Sequence, residues 1–163
     1  TTFGCHHLRP RDATFPWDSL RLLQAMAPKP PEPCHQQQEP FFPHTRLHTN
    51  HTHRDAATAT ALHILDRLFD ILSSPSTPQH WHAQARRHLL NTLQHYSHHL
   101  EQCLTDNGTL LKAPALRNLR LSIDDYFSRI QDFLHTHNHS ACAWDQVRRE
   151  AQACFKYLDT LIR

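Results

Sequence analysis

Glycine is almost missing: the chain of 163 residues holds two, Gly4 and Gly108. Globular chains usually carry ~7% glycine, and sheet proteins need it at hairpin turns and bulges. The deficit argues against an all-β fold and for helices joined by polar and proline-rich loops. It also removes the glycine-rich backbone cradles that hold phosphates and oxyanions. No Gly-x-Ser-x-Gly elbow, no His-Glu-x-x-His run and no Cys-x-x-Cys pair occurs. The usual hydrolase, metalloprotease, zinc-ribbon and thiol-redox readings therefore lack their defining residues. No run of 18 apolar residues is present, so no membrane insertion is expected. A formal net charge of +2 gives no electrostatic footprint for nucleic acid. No catalysis and no cofactor are expected.

What is present points outside the cytosol. Five cysteines stand far apart, at 5, 34, 103, 142 and 154. Such spacing suits long-range disulfides, which persist only in oxidising compartments. Cys5 precedes the first helical stretch, Cys34 sits in a long loop, Cys103 ends one helix and Cys142 begins another. Four cysteines allow three pairings, and spacing does not choose among them. Cys154 falls on an apolar helical stripe and reads as a buried free thiol. Three acceptor sequences for N-glycosylation, at Asn50, Asn107 and Asn138, draw on only five asparagines, an excess that favours secretion. No signal peptide opens the chain, so the sequence reads as a mature form, with Thr1–Gly4 an appended remnant or a disordered N-terminus and 5–163 a single helical domain.

Seventeen histidines are the compositional oddity, and protonating them all would take the net charge from +2 to +19. His95 and His99 stand i, i+4, and His135, His137 and His139 alternate, but no suitably placed carboxylate accompanies them. They read as solvated surface residues, and no metal site is expected.

Apolar periodicity predicts five helices. The first runs from about Pro16, behind a Thr14 cap, to Met26, with Trp17, Leu20, Leu23 and Met26 or Ala27 inward. Pro28-Lys-Pro-Pro-Glu-Pro ends it, and about 26 irregular residues follow, far beyond the ~4–6 of an ordinary connection. The second spans Arg54–Leu72, with Thr52 and Asp55 resembling a capping box and Ala57, Ala61, Ile64, Leu65, Leu68, Ile71 and Leu72 inward. Thr77 caps and Pro78 opens the third, which runs to about Leu104 with Ala85, Leu89, Leu93, Tyr96, Leu100 and Cys103 inward and stops at Asp106-Asn-Gly. The fourth starts near Pro114 and carries Leu116, Leu119, Ile123, Phe127, Ile130 and Leu134. Ser140 caps the fifth, where Trp144, Val147, Ala151, Cys154, Leu158 and Leu161 alternate steps of three and four.

Loop lengths then set topology. A short link makes helices two and three antiparallel neighbours, whereas the long first link permits a parallel first pair. With helix four inside the second crossover, the expectation is an all-α, up-up-down-down, five-helix cytokine bundle with two disulfides.

Several motifs carry a more specific signal. Ser140-Ala-Cys-Ala-Trp-Asp-Gln-Val-Arg resembles the segment that opens the last helix of type I interferons. Asp125-Tyr-Phe-Ser-Arg-Ile, Leu100-Glu-Gln-Cys103 and Ser19-Leu-Arg-Leu-Leu match the same family in order. Leu72-Ser-Ser-Pro-Ser-Thr-Pro-Gln-His-Trp81 and His95-Tyr-Ser-His-His-Leu-Glu-Gln-Cys are similar to avian members. The ending Cys154-Phe-Lys-Tyr-Leu-Asp-Thr-Leu-Ile leans toward interferon beta. The resemblance covers about residues 5–163.

It implies bridges Cys5–Cys103 and Cys34–Cys142, and an antiviral cytokine that joins two cell-surface receptor chains to trigger JAK-STAT signalling, itself a monomer. Carried over by position, the high-affinity chain meets Leu20, Arg21, His35, Gln38, Arg148, Arg149, Gln152, Lys156 and Tyr157. The low-affinity chain meets Phe69, Asp70, Leu90, Gln94 and Asp124. Mammalian members often place basic residues where Gln38, Asp124 and Asp125 stand here, and glutamine cannot reproduce the bidentate pairing of a guanidinium. The rival readings are another helical-bundle cytokine and a secreted histidine-rich metal-binding protein.

Overall fold

Hydrophobic stripes three and four residues apart fold into five helices: α1 (Pro10–Met26), α2 (Arg54–Leu72), α3 (Ala83–Cys103), α4 (Pro114–Thr136) and α5 (Ala141–Ile162). The computed structural model describes residues 10–27, 34, 54–103 and 114–162, and no strand occurs among them. No helix there is long and apolar enough to cross a membrane.

Both bounds of α2 fall where its stripe predicts, and Ala61, Ile64, Leu65, Leu68, Ile71 and Leu72 are all buried. Two helices begin elsewhere than expected. α1 starts at Pro10, leaving Pro16 inside the helix. Either proline suits a first turn, and the earlier one takes that role; Pro16 then forgoes one backbone hydrogen bond. The longer helix also changes which residues face inward. Phe15, Ser19, Leu23 and Met26 form the buried stripe, and Trp17, expected inward, is 49% exposed. α3 opens at Ala83 rather than at Pro78. Residues 78–81 form a turn closed by the Trp81 N–H on the Pro78 carbonyl (3.2 Å), and His82 supplies the cap by accepting the Ala85 N–H at Nδ1 (3.1 Å). That turn brings Trp81 edge-on against Trp144, with centroids 5.4 Å apart. Burial of this aromatic pair outweighs the local preference of Thr77-Pro78 for a helix start.

Ser140 caps α5 as expected, accepting the Ala143 N–H at Oγ (3.1 Å). The α4–α5 turn needs two left-handed residues, and with no glycine available Asn138 (φ 55°) and His139 (φ 54°) take them. At the end of α2, Arg86 donates from Nε to the Leu72 carbonyl and from Nη2 to the Ser74 carbonyl, both at 2.9 Å. A cation there satisfies carbonyls that the helix itself leaves open and complements its dipole.

Cross-helix contacts fix direction. His82 N–H donates to the Met26 carbonyl (2.7 Å), while Phe15 stacks on Tyr96 at 4.0 Å, so α1 and α3 run antiparallel. Arg86 meets the end of α2, making α2 and α3 antiparallel and α1 and α2 parallel. Trp81 and Trp144 bring the starts of α3 and α5 together, and Phe15 lies edge-on to Phe155, so α5 runs with α3 and against α1. This is the up-up-down-down bundle, with α4 in the second crossover. Around it α1 packs on α3 and α5, as does α2, while α1 and α2 make no contact among the described residues and stand diagonally. The Cys34–Cys142 bridge, closing 108 residues, holds the first crossover to the start of α5. The expected Cys5–Cys103 bridge and the Thr52–Asp55 capping box lie outside the described residues.

Candidate functional site

The described positions singled out from sequence fall on two parts of the bundle, α1 with α5 and α2 with α3 and α4. On α5, Arg149, Gln152 and Lys156 are three and four residues apart and share one strip, with Arg149 and Lys156 exposed and Gln152 half-buried. The strip is organised from beneath by Asp145, whose side chain is only 7% exposed. Its Oδ1 accepts from Arg148 Nε at 3.0 Å, and its Oδ2 lies 3.4 Å from Arg149 Nη2. One buried carboxylate thus orients two guanidiniums: Arg148 is tucked in, and Arg149 projects. Tyr157 does not share the strip; it is 9% exposed, and burial pushes its hydroxyl up to about 12.

On α1, Leu20 is half-buried against the core and Arg21 is exposed and paired with Asp18. Trp17, three residues before Leu20 and four before Arg21, completes an outward patch that the sequence reading missed. Its exposure followed only from the shifted phase of α1. His35 and Gln38 lie outside the described residues.

The second set faces away from α1. Phe69 and Asp70 of α2 and Gln94 of α3 line one groove of about 320 Å³ together with Asp66, Ser97, His98 and Glu101. Leu90, one turn before Gln94, is half-buried against the core. Asp70 also lines a neighbouring groove of about 450 Å³ between α2 and α4, shared with Arg67, Asp124, Phe127 and Asp132 among others. There Asp124 Oδ1 lies 2.7 Å from Nε2 of the buried His63 and 3.7 Å from Arg67 Nε. Asp124 therefore ties α4 to α2 as well as facing the groove. Asp66, Ser97, His98 and Glu101 escaped the sequence reading because their proximity depends on the α2–α3 register, which no local pattern encodes.

Behind both surfaces, α4 and α5 share a buried polar cluster. Tyr126 donates its hydroxyl to Glu150 Oε1, and Gln146 Nε2 donates to Glu150 Oε2 at 3.0 Å. Cys154 lies against it as a fully buried free thiol. Burial is the main cause raising its pKa, reinforced by Glu150. A thiol so placed is a poor nucleophile. No group of three or more potential metal ligands occurs among the described residues. Asn138 is exposed in the α4–α5 turn; Asn50 and Asn107 lie outside the described residues.

The family description "Interferon alpha/beta domain" matches residues 8–163. Interferon type B of Gallus gallus is 51% identical over 164 residues, covering 100% of this chain and 80% of that protein. Interferon of Meleagris gallopavo is 48% identical, covering 98% and 83%, and interferon type A1/A2 of Gallus gallus is 46% identical, covering 99% and 83%. Among solved structures, zebrafish interferon 1 superposes with a TM-score of 0.79 at 21% identity, covering 94% of this chain and 95% of that one, and so agrees in fold. The full-length match to the family, the avian relatives and the shared bundle together place this chain in the interferon alpha/beta family, on its avian side.

Proposed function

We propose that the protein is a secreted antiviral cytokine that bridges the two chains of the type I interferon receptor and thereby triggers JAK-STAT signalling. Its relatives are non-enzymatic signalling proteins, and nothing in this reading requires chemistry from the chain itself. The observation that supports it is that α1 and α2 make no contact among the described residues, which leaves two separate sides of one bundle for two partners. A bridging ligand needs two faces that do not compete for space.

The high-affinity chain docks on Leu20, Arg21, Arg149, Gln152 and Lys156, joined by His35 and Gln38, with Arg148 and Tyr157 supporting from behind. The low-affinity chain docks on Phe69, Asp70, Leu90, Gln94 and Asp124. Small clusters of this kind supply most of the binding energy in protein interfaces. Residues 5–163 act as one domain and one monomer, with Asn50, Asn107 and Asn138 as glycan acceptors and Cys5–Cys103 as the second bridge.

The test uses avian cells with a STAT-driven reporter and single knockouts of each receptor chain. Signal in the parent cells and none in either knockout is expected; full signal without one chain would refute bridging.

A further inference from the structure

Among the described residues the α2–α3 groove is lined by three carboxylates, Asp66, Asp70 and Glu101, with His98 beside them and no lysine or arginine, although the chain as a whole is net positive at +2. Asp70 is partnered, with Arg67 Nη1 3.7 Å away. Asp66 and Glu101 form no ion pair and no hydrogen bond among the described residues. Asp66 and Glu101 are both exposed at the rim of the groove, and partial burial, then the negative charge of Glu101, raise the pKa of Asp66, so ionising Asp66 is disfavoured in the free protein. Ser97 adds a second observation. It is 7% exposed and lines the groove, and no hydrogen bond among the described residues engages its hydroxyl. Its Oγ is not among the fully buried unpartnered atoms, so the hydroxyl of this otherwise buried residue opens into the groove, where an entering donor can reach it. Half-buried Phe69 gives the groove an apolar wall.

Two carboxylates without an ion pair among the described residues, a hydroxyl open to the groove and an aromatic wall complement a long side chain with an apolar stem and a cationic, multiply donating head. We infer that this groove receives a basic side chain, lysine or arginine, from the low-affinity receptor chain, its stem along Phe69 and its head between Asp66 and Glu101 with Ser97 Oγ as a further acceptor. A volume of about 320 Å³ leaves room for one such side chain. The inference rests on the two-face reading and adds the chemistry that separates the faces. The opposite surface presents exposed Arg21, Arg149 and Lys156, so the two receptor chains are sorted by charge as well as by shape.

The experiment measures binding of the full chain to the immobilised ectodomain of each receptor chain, for wild type, the Asp66→Asn/Glu101→Gln double variant, Ser97→Ala and Phe69→Ala, between 50 and 500 mM NaCl. The double variant keeps the shape of the groove and removes its charge. It should bind the low-affinity ectodomain about tenfold more weakly at low salt, lose most of the salt dependence, and bind the high-affinity ectodomain unchanged. Ser97→Ala should weaken the same ectodomain alone. If Phe69→Ala weakens binding while the double variant does not, the face is right and its occupant is not basic, which overturns the inference. If neither Phe69→Ala nor the double variant affects either ectodomain, the assignment of the face itself fails. Circular dichroism confirms that each variant is folded.

Discussion

Asp66 and Arg149 show how one charged residue can be set against stability or held ready by it. The Asp66 carboxyl lies above its ordinary pKa because burial and Glu101 disfavour its charge. An acid whose folded-state pKa is raised binds its proton more tightly folded than unfolded. Ionised Asp66 therefore costs stability at neutral pH, and that cost disappears as pH falls through the raised value. Asp66→Asn should stabilise the protein at pH 7, by less than about 1 kcal/mol given solvent screening. The gain should vanish near pH 3 when thermal unfolding is followed at both values. Because the same substitution should weaken one receptor contact, Asp66 trades stability for binding. Arg149 is the reverse case. Its guanidinium is 55% exposed, and its tie to Asp145 Oδ2 at 3.4 Å leaves the core untouched. Arg149→Ala should cost the high-affinity interaction roughly tenfold or more, with a change in melting temperature under about 2 °C. Calorimetry paired with surface binding checks both halves, and a large fall in melting temperature would mark the residue as structural.

At the scale of elements, the reach of sequence reasoning depends on how local the deciding force is. The bounds of α2 were legible because its stripe runs without interruption from Ala61 to Leu72 and no second start signal competes. α5 was legible for the same reason, with Ser140 as a real cap. α1 was not, because Pro10 and Pro16 both fit a first turn, and the choice between them rotated Trp17 outward and Phe15 inward. α3 was misplaced because Thr77-Pro78 imitates a cap while the Trp81–Trp144 contact, 63 residues apart in sequence, overrides it. The strip of α5 could be seen from spacing alone, whereas the Asp66–Glu101 groove required two helices to be placed side by side. The first crossover illustrates a third kind of force. Its α1–α2 connection has the Cys34–Cys142 bridge across a separation of 108 residues, which in the chain-entropy account is worth about 4–5 kcal/mol. Replacing both cysteines by serine should lower the unfolding free energy by about 2–4 kcal/mol in urea titration, with α5 still helical by circular dichroism. A loss below about 1 kcal/mol would mean that the crossover is held by its other contacts.

On the proposed bridging reading, the whole molecule serves as a spacer between two unlike surfaces. One aromatic-rich core runs through all five helices, from Phe15, Tyr96 and Phe155 at one end to Trp81 and Trp144 at the other. Coupling between the faces would need a second arrangement of this close-packed core, so with a single arrangement occupancy of one face should leave affinity at the other unchanged. Bridging then depends on each face separately, and removing one should convert the protein from agonist to antagonist. Phe69→Ala combined with Asp66→Asn and Glu101→Gln is expected to retain wild-type affinity for the high-affinity receptor chain and to lose STAT activation. Added in roughly hundredfold excess to cells treated with wild-type protein, the triple variant should occupy that chain and suppress at least nine-tenths of the signal by mass action. The same variant carrying Arg149→Ala should lose the suppression, because it can no longer hold the receptor chain it blocks. If the triple variant still activates at low dose, the α2–α3 face is dispensable for signalling. If it neither activates nor competes, the two faces are coupled through the core, and the bundle is not the passive spacer that its packing describes.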